Sequence, residues 1–215
     1  MGYEDGRLLM RRARRASGFT MLEMAITMTV FAILVVLGVP SMSSWIKNNK
    51  VRATADSLQT ALRLAQAESL RRSRQVVFAL TDSNTPTAPL PLPAAANGKS
   101  WVIYTVPSMT DATEAPDFIQ LGDFSNASAN VQIDSHGVAA VCFNSIGRVV
   151  ANAGANVAAI TGTACIQPSG APALQIFNIS LAGADRPLQV NLSLGGQVHM
   201  CDPAFALSSA HPEGC

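Results

Sequence analysis

The spacing of hydrophobic and polar positions along this chain changes twice. From Met24 to Ile46, 23 residues carry no charge and are mostly apolar. A helix of that length rises about 34 Å, which is enough to cross the hydrocarbon core of a bilayer. The sequence therefore predicts a transmembrane N-terminal helix, which we place at residues 19–46.

A second helical pattern follows directly. Apolar residues recur with the four-three-four-three spacing of one helix face, at Val51, Ala55, Leu58, Leu62 and Ala65. No Gly or Pro interrupts residues 41–74, and Pro40 is expected to kink the helix rather than end it. We predict an amphipathic helix half over residues 47–74, whose apolar face covers the remainder of the protein.

From Gln75 onward the pattern consists of short apolar or alternating runs separated by Gly, Pro and polar residues, which is typical of strands and turns. Strands are predicted at Gln75–Leu80, Trp101–Val106, Phe118–Leu121, Val131–Ile133, Val138–Phe143, Gly147–Val150, Leu174–Ser180, Leu188–Leu194 and Gln197–Met200. Residues 81–100, 107–117 and 151–172 are predicted loops. The fold class is therefore α+β: one long helix packed on an antiparallel β-sheet, with a β-rich globular head over residues 75–215.

Charge is distributed unevenly behind a net value of +1. Five arginines precede the apolar segment, and residues 47–74 hold seven basic residues against two acids. From Gln75 onward three basic residues face nine acids, so the head carries a net charge of −6. A basic stretch before a membrane span stays on the cytoplasmic side, so the arginines predict that the head is exported.

Four cysteines lie in the last part of the chain, at Cys142, Cys165, Cys201 and Cys215. They lack the spacing of a metal site with the three histidines, so no metal is predicted. In an exported chain an even count suggests two disulfides, and three pairings are possible. Pairing in chain order is favoured because each bond then closes a short loop; four buried thiols are the alternative.

Glu23 is an acidic residue at the start of the apolar segment. A carboxylate deep in a membrane costs about 2.5–3.5 kcal/mol on insertion scales, so such a group usually has a partner. The alternative is that Glu23 lies at headgroup level and favours the positive end of the helix dipole.

The residues around Glu23 carry a resemblance to a known family. Gly18-Phe19-Thr20-Met21-Leu22-Glu23 resembles the class III leader site of type IV pilins and type II secretion pseudopilins. The resemblance implies a prepilin leader at residues 1–18, cleavage between Gly18 and Phe19 by a prepilin peptidase, and N-methylation of Phe19 by the same enzyme. It also implies that Glu23 meets the N-terminal amine of a neighbouring subunit during filament assembly.

Two further segments resemble the GspH/FimT branch of that family: the turn Phe143–Arg148 and the tail Gly196–Pro203. The resemblance implies a pilin fold and a minor pilin or pseudopilin, which helps to initiate or cap a type IV pilus or a type II secretion pseudopilus. Implied partners are other pilins or pseudopilins, the peptidase, an inner-membrane assembly platform and membrane lipid. The implied location is the bacterial inner membrane, with a single pass and the head in the periplasm, and then the filament.

Two other function classes, a DNA-binding pilin and an enzyme, have less support in the sequence. Some members of this branch are DNA-binding minor pilins for DNA uptake, and Arg148 and Arg186 are the candidate residues for such a role. A head at −6 repels phosphate, so nucleic acid is not the expected partner. The sequence contains no nucleophile elbow, metal-spaced His/Cys cluster or phosphate loop, so neither an enzyme nor a cofactor is predicted.

Overall fold

The structure is a computed structural model that describes residues 18–83, 85, 92–108, 110, 113–124, 130–169 and 172–215, with the backbone alone at 39–41. The chain divides into two units, Met1–Met42 and Ser43–Cys215. Most of the predicted leader, residues 1–17 with its five arginines, lies outside the described residues. So do Pro86, Pro89 and Pro91 of the predicted loop at 81–100.

The described residues form two helices and nine strands, which are numbered in chain order. The helices are α1 (Met21–Arg72) and α2 (Ala155–Thr161). The strands are β1 (Val76–Thr81), β2 (Ser100–Thr105), β3 (Phe118–Asp123), β4 (Gln132–Asp134), β5 (Ala140–Phe143), β6 (Val149–Val150), β7 (Leu174–Ser180), β8 (Leu188–Ser193) and β9 (Val198–Cys201).

In the first unit, α1 is an uninterrupted helix that presents apolar side chains to the outside. Large side chains such as Phe31, Leu34 and Leu37 are 64%, 63% and 72% exposed. As the sequence predicted, the helix continues through Pro40. A proline inside a helix removes one backbone hydrogen bond without ending the helix when the flanking sequence favours helix on both sides.

In the second unit, the amphipathic part of α1 packs on the head through the predicted face. Val51, Ala55, Leu58, Leu62 and Ala65 are all fully buried. They form one core with apolar residues of both sheets, among which the largest are Phe78, Trp101, Phe143 and Phe177. The burial of this face supplies most of the stability of such a helix, because helix propensity alone is marginal in water.

The head contains two antiparallel sheets rather than the single sheet that the sequence predicted. One has the strand order β3-β2-β1-β5-β6 and the other β4-β7-β8-β9. They are joined where the N–H of Val149 donates to the carbonyl of Leu194 over 3.0 Å. The number of sheets depends on which strands pair, and pairing between distant strands leaves no mark on the local apolar pattern.

The five-stranded sheet is buried on both faces. All six residues of β1 and all six of β2 are buried. A second core on the face away from α1 contains Val77, Tyr104, Val157 and Ile160. Since both faces are covered, β1 consists of a continuous apolar run instead of alternating positions.

Helix α2 corrects the expectation of a loop over residues 151–172. It is seven residues long and buries Val157 and Ile160, which are three positions apart and so lie on one face. The abundance of Ala, Gly, Thr and Asn in this segment favoured a loop, but packing against the five-stranded sheet stabilises one short helix within it. Tertiary contacts of this kind override weak local propensity.

Candidate functional site

The junction that resembles a pilin leader site is the start of α1. Gly18, Phe19 and Thr20 precede the helix, which begins at Met21. The N–H of Glu23 donates to the hydroxyl of Thr20 over 3.2 Å, and the N–H of Met24 donates to the Thr20 carbonyl over 3.1 Å. Thr20 is therefore the N-cap of α1: its carbonyl accepts the first hydrogen bond of the helix, and its hydroxyl satisfies the Glu23 N–H, which a helix start would otherwise leave without a partner.

Glu23 lies in the first turn of α1 and is exposed. An acidic side chain at this position interacts favourably with the positive end of the helix dipole. Within the described part of the chain, its carboxylate forms no ion pair or hydrogen bond. The charge is thus exposed and available to a cationic group from outside these residues.

The segment that follows Glu23 has the composition of a membrane span. By length and composition, α1 is long and apolar enough to cross a membrane, with a mean hydropathy of 2.3 in its most apolar 18-residue window, none of which is buried. The hydroxyls of Thr27 and Thr29 donate to the carbonyls of Met24 and Ile26 over 3.0 and 2.8 Å. These internal bonds give the hydroxyls partners that do not depend on water.

At the other end of α1, three arginines are held by carboxylates. Arg71 and Arg72 both bind Glu68, with closest N–O distances of 2.6 and 2.9 Å. Hydrogen bonds from Arg71 and then Arg72 lower the pKa of the Glu68 carboxyl to about 2. These cations are therefore engaged inside the molecule.

The remaining contacts of this cluster reach the segment before β3. Arg72 also pairs with Asp117, and Arg74 pairs with Glu114. At or just after the last turn of α1, these arginines also complement its negative end. The structure adds that they tie this end of α1 to the segment at 113–117.

The two segments that resemble the GspH/FimT branch both lie against one side chain of α1, that of Gln66. The amide of Gln66 donates to the carbonyl of Gly147 over 3.0 Å. Gly147 and Gly196 both have positive φ, of 76° and 85°. A Cβ atom on Gly196 would lie 2.1 Å from the Gly147 carbonyl and 2.2 Å from the Gln66 amide, so only glycine fits there.

Strand β9 is an edge strand whose open side is partly covered by α1. The side chains of Gln59 and Arg63 both donate to the carbonyl of Val198, over 3.3 and 3.2 Å. An uncovered edge carbonyl is a template for pairing with another chain. Together with Gln66, these residues bind α1 to both sheets by polar contacts as well as by the apolar core.

The four cysteines form two disulfides, Cys142–Cys165 and Cys201–Cys215, which is the pairing in chain order. The first joins β5 to the segment after α2 and is buried in the second core. The second closes the C-terminal tail onto the end of β9. Among the described residues no group of three or more His, Cys, Asp or Glu side chains is arranged to hold a metal ion.

The structure does not bring the two DNA-binding candidates together. Arg148 belongs to the turn that contacts Gln66, whereas the N–H of Arg186 donates to Asn48 on α1 over 3.2 Å. Asn48 and Gln66 are 18 positions apart on α1, which is about 27 Å along the axis. Both arginines are exposed, but they form no common basic surface.

Two models of known protein families match this chain. A family model described as the type II transport protein GspH matches residues 54–196, and one described as the prokaryotic N-terminal methylation motif matches residues 13–39. The first match spans more than half of the chain, so the chain belongs to the GspH family. Its long N-terminal helix on antiparallel sheets is the pilin fold that the sequence predicted.

No curated protein matches the chain. Several solved structures are similar to it. The type IV minor pilin FimU of Pseudomonas aeruginosa strain PAO1, in space group P21, has a TM-score of 0.48 at 16% identity, covering 75% of this chain and 96% of its own. The minor pseudopilin EpsH from the type 2 secretion system of Vibrio cholerae has a TM-score of 0.43 at 11% identity, covering 73% and 99%.

Two features of the site were not predicted from the sequence. The capping role of Thr20 has a recognisable signal, because Thr20 and Glu23 have the Thr-x-x-Glu spacing of a capping box. Gln66 has no such signal, since its partner Gly147 is 81 residues away and is placed only by the fold.

Proposed function

We propose that this chain serves as a minor pilin or pseudopilin, a structural subunit that assembles with other pilins and helps to initiate or cap a filament. The observation that carries the proposal is the presence, in one chain, of a GspH match over the head and a methylation-motif match over the junction. The exposed apolar part of α1 supports it, because such a surface needs lipid or other apolar helices around it.

In this proposal the subunit is held in the bacterial inner membrane as a single-pass protein before assembly. The five leader arginines remain in the cytoplasm and the head is in the periplasm. The periplasm is oxidising, which suits the two disulfides. Membrane lipid, the prepilin peptidase and an inner-membrane assembly platform are the further partners that the proposal requires.

Processing removes residues 1–18 and leaves a methylated Phe19 at the start of the anchor. In the filament, the amine of a neighbouring Phe19 pairs with the carboxylate of Glu23. An unpaired carboxylate is costly in an apolar environment and a paired one much less so, so correct packing of the subunits neutralises both charges. The exposed position of Glu23 in the first turn supports this role.

The processing step is tested by mass spectrometry of the N-terminal peptide of membrane-extracted protein. We expect a peptide that begins at N-methylated Phe19. A peptide that begins at Met1, or one that begins after the apolar segment, would contradict the proposal. A Gly18→Leu variant is the control, because a bulky residue before the cut is expected to block processing while membrane insertion persists.

The assembly role of Glu23 is tested with Glu23→Ala. Insertion is expected to persist, as measured by resistance to carbonate extraction, while incorporation into sheared filaments falls by more than about tenfold. Thr27→Ala is a matched control one turn further along α1 and is expected to assemble normally. Normal incorporation of Glu23→Ala would remove the pairing role and leave the anchor role intact.

Nothing in the described part of the chain favours the DNA-uptake alternative. A gel shift at low salt measures it directly, and we expect no retardation. The machine that the subunit serves is assigned by the deletion phenotype: loss of exoprotein secretion indicates a pseudopilus, and loss of twitching or transformation indicates a pilus.

A further inference from the structure

A cavity of about 260 Å³ lies where α1 meets the end of the four-stranded sheet. Its lining includes Asn48 and Arg52 from α1, Arg186 from the segment before β8, and Asp202 and Glu213 near the second disulfide. The carbonyl oxygen of the Asn48 side chain accepts the N–H groups of Asp185 and Arg186 over 2.9 and 3.2 Å. These bonds fix the position of Arg186 against α1.

Neither arginine side chain of this cavity forms a hydrogen bond or ion pair within the described part of the chain. Arg186 does act on Glu213 through its charge: a backbone hydrogen bond, the hydrogen bond with His211 and, to a smaller extent, the charge of Arg186 lower the pKa of the Glu213 carboxyl. The two carboxylates are already engaged. Asp202 is 7% exposed and accepts the N–H of Ala204 over 2.9 Å. Glu213 binds His211 over 3.2 Å. The guanidinium groups are therefore available to an external anion, and the planar guanidinium suits phosphate oxygens.

The position of the cavity along α1 indicates the source of that anion. Ile46 is the last residue of the uncharged segment, and at 1.5 Å per residue Asn48 lies about 3 Å and Arg52 about 9 Å beyond it. The polar layer on each side of a bilayer is about 5–8 Å thick. Asn48, and with it the backbone of Arg186, therefore lies at the depth of the lipid headgroups if Met24–Ile46 spans the membrane. Arg52 lies just beyond that depth, and its long side chain can reach back to the headgroups because helix side chains lean towards the N-terminus.

We propose that this cavity binds the phosphate of an anionic phospholipid between Arg52 and Arg186. The inference rests on the proposed membrane anchoring of the subunit. It gives Arg186, which comes from the head, a role in holding the base of the head to the membrane surface. Arg148 belongs to the turn at Gln66, which is about 27 Å along α1 from Asn48. This distance is well beyond the screening length of about 8 Å, so Arg148 takes no part in binding the phosphate.

The experiment uses the full chain in nanodiscs made of phosphatidylcholine alone or of equal parts phosphatidylcholine and phosphatidylglycerol. Amide hydrogen exchange of residues 181–187 is compared between the two lipids within each variant. We expect exchange about fivefold slower in the anionic nanodiscs, the factor that corresponds to one cation at a charged surface. Arg186→Gln and Arg52→Gln should each remove the difference, and Arg148→Gln, the matched control, should retain it.

Equal exchange in the two lipids, or a difference that survives in Arg186→Gln, would overturn the lipid site. Glycerol phosphate is added to zwitterionic nanodiscs as a further arm, and protection there would show a soluble phosphate ligand instead of lipid. Flotation of the chain with phosphatidylcholine vesicles separates the two proposals. A chain that fails to float refutes the anchoring, whereas one that floats without the difference in exchange refutes only the site.

Discussion

Helix α1 has one stretch whose apolar side chains are exposed and a second stretch whose apolar side chains are buried. From Met24 to Leu37, α1 is apolar around most of its circumference, and its large side chains are exposed. From Ser43 to Arg72, one face is apolar, and Val51, Leu58 and Leu62 on that face are fully buried in the head. The same backbone geometry therefore serves two different environments.

The difference shows what each stretch requires from its surroundings. A helix that is apolar on one face is complete once that face is covered, whereas one that is apolar all round needs apolar surroundings on every side. Under the proposed function, lipid provides such surroundings before assembly, and the helices of other subunits provide them in a filament. The second stretch contributes to the stability of the head, and the proposal assigns the first stretch to assembly.

The largest expected effect separates the two stretches directly. Leu58→Ala should destabilise the head by about 2–5 kcal/mol, because it leaves a cavity in the core. Leu34→Ala makes the same change where the side chain is 63% exposed, and it should alter head stability by less than about 0.5 kcal/mol. Urea unfolding in detergent micelles, followed by near-UV circular dichroism, measures both; equal effects would refute the comparison.

The next effect concerns the attachment of the second stretch to both sheets. Gly196→Ala should destabilise the head by about 1–3 kcal/mol, because its Cβ has no room beside Gly147 and Gln66 and its φ is positive. Gly195→Ala is a matched control in the same turn, with its nearest contact at 3.6 Å. The urea midpoint should fall for the first variant only, and a similar loss in both would show that the turn, not the contact with Gln66, is responsible.

A smaller effect is expected at the start of the first stretch. Thr20→Ala removes the cap and should weaken the first turn of α1 by about 1 kcal/mol, so that the Glu23 amide exchanges faster. The stability of the head should not change. Amide exchange in micelles measures the first turn, with Thr27→Ala as the control, because that hydroxyl bonds only to the carbonyl of Met24. Unchanged exchange at Glu23 would argue against the cap.

The smallest effect lies at the end of the second stretch and depends on pH. Because Arg71 and Arg72 lower the pKa of Glu68 from 4.5 to about 2, the ionised carboxylate contributes stability above pH 4.5. That contribution is lost as the pH falls from 4.5 through 2. Glu68→Gln should cost about 0.5 kcal/mol at pH 7, given the exposure of Arg71, and nothing well below pH 2. A constant difference across this range would exclude an electrostatic origin.

Local patterns predicted most elements of the head to within one or two residues. Val51, Ala55, Leu58, Leu62 and Ala65 marked the buried face of α1 because a helix places such positions in a line. Strand β7 matched its predicted bounds because its alternating residues face a core on one side only. By contrast, α2 was missed, since only two of its seven residues, Val157 and Ile160, are large and apolar, and its stability comes from the sheet beneath it.

The candidate site divides in the same way. The junction from Gly18 to Glu23 is contiguous, so its resemblance and its charge could be recognised from the sequence, and the capping spacing was available there as well. The processing and pairing roles of Gly18, Phe19 and Glu23 remain predictions. The contact of Gln66 with Gly147 and Gly196 could not be found locally, because it joins three segments that only the fold brings together.

By itself the sequence determined the apolar segment, the amphipathic face that follows it, and the separation of a basic N-terminal stretch from an acidic head, because each depends on composition and short spacing. Tertiary structure alone decided the division into two sheets, the short helix over the far face, and the placement of Arg186 beside Arg52. Each of these depends on contacts between residues far apart in the chain, whose geometry no local pattern encodes.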